Sequence, residues 1–368
     1  MKPLKVIISG GGTGGHIFPA VAIANQLKLV HSNVDILFVG AEGRMEMEKV
    51  PTAGYKIIGL WISGLQRKLT LDNLSFPFKV ISSLWKARKI IADFKPDVVI
   101  GTGGYASGPM LRAASKKGIP TLIQEQNSYP GITNKILAKT VNKICVAYED
   151  MERFFPKEKI KLTGNPIRQD ITAIEDKKKE GIQFFNLQES KKTILVIGGS
   201  LGARTINESI ARGLSVIEKE GFQLVWQTGK TFISKAKETI ATNDSSNCHA
   251  FDFIGRMDLA YAVADVIISR AGASSISELC VVGKPIILVP SPNVAEDHQT
   301  KNAKTLVDKN AAVLVKDADA STVLVNRVVE LCKNEQLQSE LKGNIRKMAL
   351  PQATKIIVEE VLQLVNAR

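Results

Sequence analysis

Short apolar runs separated by helix-length amphipathic stretches recur along the whole chain. In the first half they are Val6–Ile8, Ile36–Val39, Val98–Ile100, Thr121–Ile123 and Ile144–Ala147. A second series follows with Ile194–Ile197, Leu224–Trp226, Val266–Ile268, Ile286–Val289 and Ala312–Val315. Strands that alternate with helices imply parallel sheets covered on both faces, so the pattern predicts an α/β fold.

Each series opens with a strand that runs into a glycine-rich turn and then a helix: LKVIISGGGTGGHIFPA at the start and TILVIGGSLGARTIN near the middle. Two such openings imply two Rossmann-like domains, and a length of 368 residues suits two cores of ordinary size. Between the series, Leu162-Thr163-Gly164-Asn165-Pro166 and the charged stretch Glu175–Glu180 interrupt the pattern. The hinge is placed near Gly164–Pro166, with domains over residues 1–166 and 167–350. From Gln352 to Val365, after Pro351, the apolar residues Ile356, Ile357, Val361, Leu362 and Val365 fall at helical spacing. The pattern leaves open whether this last helix caps its own domain or crosses back to the first.

Three glycine loops follow strands. Gly10–His16 precedes an apolar-faced helix, Gly101–Pro109 follows Val98–Ile100, and Gly198–Ala203 follows Ile194–Ile197. Loops at the carboxyl ends of parallel strands are where open α/β sheets bind ligands, and glycine lets the backbone approach them closely. The first loop lacks the Gly-Lys-Ser/Thr ending of a phosphate-gripping P-loop. No acidic residue ends the second strand, where Glu42 lies past Ile36–Gly40, which argues against a nicotinamide dehydrogenase. Glu125-Gln126-Asn127 and Asp297-His298-Gln299 are polar clusters near strand ends that suit either sugar hydroxyls or helix capping. In Ser269–Glu278 the first-turn amides of a helix can hold a diphosphate, and Glu278 can accept from ribose hydroxyls or stand as a plain helix carboxylate.

Composition narrows the partners. Lys and Arg number 49 against 36 Asp and Glu, a net charge of +13 that favours phosphate-rich ligands. A nucleic-acid-binding protein is the reading from another class, but recognition motifs, long basic runs and aromatic stacking patterns are lacking. Cys145, Cys248, Cys280 and Cys332 are far apart and form no CxxC pair, so neither zinc nor a disulfide framework is expected. No run reaches the roughly 18 apolar residues of a spanning helix, and the start does not read as a signal peptide, so membrane contact is expected to be peripheral.

The motifs GGTGGH, GTGGYASGP, EQN, GNPIR, GGSLGA, SRAGASSISE and the Gln of DHQTKNA, in this order, closely resemble the MurG glycosyltransferases of the GT-B superfamily, from about residue 4 to the last helix. The resemblance implies two Rossmann-like domains with parallel sheets facing across a cleft. The first would bind the acceptor and carry the tail over residues 351–368, and the second would grip UDP-GlcNAc. By position, donor contacts fall on Thr13, Gly14, Gly15, Asn127, Arg168, Ser200, Ile254, Ala273, Ser274, Ser275, Glu278 and Gln299, while Gly103, Gly104 and Tyr105 form an acceptor-side loop. His298 stands where glutamine is common in the family.

The implied reaction moves GlcNAc from UDP-GlcNAc to the MurNAc C4 hydroxyl of lipid I, inverting the anomeric centre and giving lipid II. His16, beyond the first glycine loop, is the candidate base, with Glu125 in reserve. No DxD-like pair stands where a metal would bridge a diphosphate, so neither a metal nor another cofactor is expected. A lipid-linked acceptor asks for an anionic membrane surface on the cytoplasmic side of the inner membrane. The stretch Leu60–Ile91 supplies a candidate: Val80, Leu84, Ala87 and Ile91 form a core stripe, while Phe78, Ile81 and Trp85 lie on an adjoining face among Lys79, Lys86, Arg88 and Lys89. Related GT-B proteins, such as a UDP-GlcNAc 2-epimerase or a glycolipid synthase, are the alternative enzymes.

Overall fold

A computed structural model describes residues 3–64, 75–199, 202–294 and 297–367. The chain divides into two compact units, Met1–Ile167 with Leu350–Arg368, and Arg168–Ala349.

The first unit runs β1 (Leu4–Gly10), α1 (Gly14–Val30), β2 (Val34–Ala41), α2 (Glu46–Thr52), β3 (Lys56–Leu60), α3 (Phe76–Phe94), β4 (Val98–Gly103), α4 (Ser107–Lys116), β5 (Thr121–Glu125), α5 (Ile132–Leu137), β6 (Lys143–Val146) and β7 (Ile160–Leu162). Its strands form one parallel sheet in the order β3-β2-β1-β4-β5-β6-β7. Ile7, Val99, Ile123 and Ile144 face a core built with α3 and α4, and Val6, Ile8, Val98 and Ile100 face one built with α1. Burial on both faces is why these strands read as unbroken apolar runs.

The second unit runs α6 (Lys178–Phe184), β8 (Thr193–Ile197), α7 (Arg204–Lys219), β9 (Gln223–Gln227), α8 (Ile233–Thr242), β10 (Cys248–Phe251), α9 (Met257–Val263), β11 (Val266–Ser269), α10 (Ala273–Val282), β12 (Ile286–Leu288), α11 (His298–Val307), β13 (Val313–Leu314), α12 (Ala320–Lys333) and α13 (Glu335–Arg346). Its sheet is also parallel, in the order β10-β9-β8-β11-β12-β13. Helix α7 buries Ile206, Ile210, Leu214 and Ile217, one stripe at helical spacing, in the core over β8 and β9.

The tail helix α14 (Ala353–Asn366) belongs to the first unit, where Ile357, Val358 and Val361 share a core with Ile17, Ala24 and Leu27 of α1. Its buried Glu360 pairs with Lys143 at 3.0 Å and Lys161 at 3.6 Å, which fastens the helix to β6 and β7. The four cysteines are buried and unpaired.

Within the second unit, Asp258 of α9 accepts from Arg256 Nε at 3.0 Å, Arg256 Nη2 at 2.9 Å and Lys177 Nζ at 2.9 Å, tying α9 to the turn that leads into α6. These donors, Arg256 foremost, hold its carboxyl well below the usual carboxylate range against the opposing effect of burial. A depressed carboxylate contributes stability above its ordinary value of 3.8, and that contribution is lost as pH falls through the folded value. Asp258→Ala is expected to cost about 2 kcal/mol near neutral pH in urea denaturation. The gap to the unmodified protein should narrow as the pH is lowered below about 4.

Candidate active site

In the first sheet the chain order reverses between β1 and β4, so the loops after these two strands diverge at a switch point, the usual place for a ligand. The two loops are braced against each other. Gly11 N–H donates to the Gly103 carbonyl at 3.3 Å, and the Ser107 hydroxyl lies 2.7 Å from the Ser9 carbonyl and 2.9 Å from that of Gly103. Gly104, at φ +87°, packs so closely that a Cβ there would lie 2.3 Å from the Gly11 oxygen.

His16, half-buried in the first turn of α1, places Nδ1 at 2.9 Å from the Gly11 carbonyl and 3.4 Å from Thr13 Oγ1. A carbonyl only accepts, so in the neutral ring this bond puts the proton on Nδ1 and the lone pair on Nε2. The ring lies over Gly103, where a Cβ would stand 2.9 Å from Nε2, and Thr102 Oγ1 donates to the His16 carbonyl at 2.9 Å. Thr13 and Gly15 are exposed beside it and Gly14 is half-buried, so the structure brings Thr13, Gly14, Gly15, His16, Gly103 and Gly104 together. Tyr105 is half exposed, with its ring against the backbone of Gly64.

Glu46 was missed by the sequence reading. This fully buried carboxylate, at the start of α2, accepts from Gly12 N–H at 2.8 Å and Ala41 N–H at 2.9 Å. It occupies the space that a Cβ on Gly11 would need, 2.0 Å from Oε1. A glutamate closely following the second strand is the only sequence feature that marks it, and Glu42 shares that feature. Glu42 pairs with Lys86 at 2.8 Å.

Glu125 is buried, and both of its oxygens are engaged. Oε1 accepts from Asn127 N–H at 3.0 Å and Asn127 Nδ2 at 3.2 Å, and Oε2 accepts from Gly131 N–H at 3.2 Å and Asn134 Nδ2 at 2.8 Å. Four donors on one carboxylate give it the job of holding the turn after β5, with Asn127 half-buried on that turn.

In the second sheet the order reverses between β8 and β11. Of the loop after β8, Ser200 lies outside the described residues. Gln227, buried at the end of β9, was not anticipated. It donates to the Gly199 carbonyl at 3.4 Å and accepts from Ile254 N–H at 3.0 Å, so Ile254 is fixed as a buried turn residue.

After β11 the chain enters α10 with Gly272 at the N-cap and, among the described residues, no side-chain cap on the first turn. Ala273, Ser274 and Ser275 are half-buried there, and Ser274 Oγ is shielded from solvent without a hydrogen-bond partner among the described residues. The positive end of a helix beside a shielded hydroxyl suits an oxyanion. One turn on, Glu278 receives Arg168 Nε on Oε1 at 3.3 Å and the hydroxyl of buried Tyr261 on Oε2 at 3.2 Å. Burial pushes the Glu278 carboxyl up, while Arg168 and Tyr261 oppose that by favouring the ionised form. Tyr261 is itself pushed well up by burial and by Glu278, and so stays a donor. Sequence gave no signal for Tyr261. Cys280 on the same helix is buried, its thiol pushed up to about 12, and it serves packing. Gln299, near the start of α11, accepts from Ser291 N–H at 2.8 Å and so braces the loop after β12.

Residues 6–146 match the glycosyltransferase family 28 N-terminal domain and residues 193–357 the C-terminal domain of the same family. The chain belongs to glycosyltransferase family 28. A Cytophaga hutchinsonii protein is 58% identical over 99% of this chain and 98% of its own length. A Flavobacterium psychrophilum protein is 55% identical over 100% of both. Both are named UDP-N-acetylglucosamine–N-acetylmuramyl-(pentapeptide) pyrophosphoryl-undecaprenol N-acetylglucosamine transferase. Among solved structures, that of Acinetobacter baumannii MurG matches with a TM-score of 0.80 and 29% identity, covering 98% of this chain and 100% of that one. The chain is therefore an N-acetylglucosamine transferase of family 28, and it carries the GT-B fold.

On this family 28 enzyme, α3 buries Ala87 and Ile91, leaves Val80 and Leu84 half-buried, and exposes Phe78, Ile81 and Trp85 by about two-thirds each. Residues 65–74 of the candidate membrane face lie outside the described residues. Lys79 reaches Ser63 Oγ at 3.1 Å and lies 5.8 Å from the Trp61 ring, and Arg88 is exposed. Among the described residues, no helix is long and apolar enough to cross a membrane, and no three His, Cys, Asp or Glu side chains are grouped to hold a metal.

Proposed function

We propose that this enzyme transfers GlcNAc from UDP-GlcNAc to the C4 hydroxyl of MurNAc in lipid I, forming the β1,4 bond of lipid II with release of UDP. The observation that carries the donor half is the start of α10, where the helix N-terminus and the shielded Ser274 hydroxyl, without a partner among the described residues, stand one turn from a prepared carboxylate at Glu278. The diphosphate takes the amides and Ser274, with Ala273 and Ser275 beside it, and the ribose hydroxyls take the remaining lone pairs of Glu278. Ile254 and Gln299 line the donor from the neighbouring loops of the second unit. The first unit, Met1–Ile167 with Leu350–Arg368, takes the acceptor, with Gly103, Gly104 and Tyr105 in its binding loop. The second unit, Arg168–Ala349, holds the donor.

His16 Nε2 takes the proton of the C4 hydroxyl as its oxygen attacks the anomeric carbon. The bond from that carbon to the β-phosphate oxygen breaks on the opposite face, so an α-linked donor gives a β-linked product. The helix amides and Arg168 stabilise the departing UDP, which asks for neither a metal nor another cofactor. Glu125, with four donors on its carboxylate, holds the Asn127 turn and is not the base. Incubation with UDP-GlcNAc, with and without a lipid I analogue, tests the reading. UDP release that depends on the analogue is expected, and acceptor-free formation of ManNAc would select the epimerase alternative.

The lipid of the acceptor places the enzyme at the cytoplasmic face of the inner membrane, docked through Phe78, Ile81 and Trp85 with Lys79, Lys86 and Arg88 against anionic headgroups, and no nucleic acid is a partner. Lys86 can give up Glu42 for a headgroup at small cost, because that ion pair is solvent-exposed. The enzyme is expected to bind anionic liposomes, more weakly as salt is added. Changing Phe78 and Trp85 to Ser should reduce liposome binding and turnover of a long-chain acceptor while sparing a short-chain soluble one. Equal loss on both acceptors would return these side chains to a structural role.

A further inference from the structure

The two hydrogen bonds that fix the first glycine loop meet on one peptide group. Gly12 N–H donates to Glu46 Oε2 at 2.8 Å, and the Gly11 carbonyl of the same peptide unit lies 2.9 Å from His16 Nδ1. In a trans peptide the N–H and C=O point in opposite directions, so the carboxylate and the imidazole sit at the two ends of one polarisable group. A carboxylate accepting from the N–H draws electron density toward the carbonyl oxygen, which strengthens that oxygen as an acceptor for Nδ1–H.

We propose that Glu46 is a positioning residue for the transfer reaction, acting on His16 through the Gly11–Gly12 peptide to fix the Nδ1–H tautomer and raise the basicity of Nε2. The proposal rests on the reading of His16 as the base. It has the logic of a carboxylate that orients a histidine in a hydrolytic triad, with a peptide group interposed.

Three observations favour this over a purely structural carboxylate. Glu46 is fully buried, and its two partners recorded in the described structure, Gly12 N–H and Ala41 N–H, are both backbone donors. Neither partner is a cation, so the charge brought into the interior is met only by backbone dipoles. Gly11 and Gly40 both lack the Cβ that would collide with the Glu46 side chain, so two chain segments are shaped around it. From the elements packed on the start of α1, β4 presents the uncharged Thr102 and Gly103, α14 packs through apolar residues, and α2 presents Glu46.

The test compares Glu46→Gln with the unmodified enzyme and with His16→Ala. Glu46→Gln is expected to lower kcat by about tenfold or more while the KM for UDP-GlcNAc stays within about twofold, since the charge acts on the base and not on the donor. The acid limb of its kcat profile should move to lower pH, because removing a nearby negative charge makes the imidazolium easier to deprotonate. A fall in kcat with an unmoved acid limb would reduce Glu46 to a loop brace and overturn the proposal, as would an unchanged kcat. Near-normal turnover in His16→Ala would instead remove the base reading itself. Nitrogen-15 NMR of the imidazoles in the unmodified enzyme gives a readout independent of how the variant folds. The His16 signal is expected to be that of the Nδ1–H form, and an Nε2–H form would overturn the relay.

Discussion

His16→Ala is expected to lower kcat by roughly 10²-fold or more while leaving UDP affinity close to that of the unmodified enzyme. The asymmetry follows from the geometry. The His16 ring is held by Gly11 and Thr13 within the first unit, whereas the groups proposed to grip UDP, at the start of α10 and on Glu278, belong to the second. A base acts only as the acceptor hydroxyl loses its proton, so its removal should appear in turnover. Steady-state kinetics with a lipid I analogue, paired with calorimetric titration of UDP, separate the two effects. Parallel loss of kcat and UDP affinity would mean that His16 holds the loop or the donor.

The second large effect concerns Glu278. Glu278→Ala is expected to raise the KM for UDP-GlcNAc by roughly ten- to a hundredfold, the equivalent of a buried charge-assisted hydrogen bond worth about 1.5–3 kcal/mol. Burial raises the Glu278 carboxyl above its ordinary value of 4.5, so donor affinity should weaken at a higher pH than an ordinary carboxylate would set, as the carboxylate protonates. The sign is fixed because the ionised form is the one that accepts from ribose hydroxyls: affinity is present above the raised value and lost as pH falls through it. In Glu278→Ala that pH dependence should be absent. If KM is unchanged, the carboxylate serves only to hold Arg168 and Tyr261.

The central strands were legible because burial on both faces leaves little room for polar residues: β1, β4, β5, β8 and β11 coincide with the apolar runs read from the sequence. Strands β3, β7 and β10 were not anticipated, and all three are sheet edges. An edge strand is covered on fewer sides, so Lys56, Lys161 and His249 can sit in these strands and break the apolar pattern.

The glycine loops and the start of α10 were visible for a similar reason, since close backbone approach restricts the sequence locally. The side chains that prepare those loops were not. Glu46, Tyr261 and Gln227 act across 34, 17 and 27 residues of chain on Gly12, Glu278 and Ile254, and separations of that size are closed only by the fold. Glu125 read as a possible base because a glutamate after a strand looks available, and only the structure reveals four donors already on it.

The most direct test of the transfer chemistry is the structure of the product made from UDP-GlcNAc and a lipid I analogue. NMR of the isolated disaccharide is expected to give a β-anomeric GlcNAc whose C1 correlates with C4 of MurNAc, formed in step with UDP release and only when the acceptor is present. An α-linked product, a linkage to another hydroxyl, or sugar conversion without acceptor would contradict single-displacement transfer to lipid I.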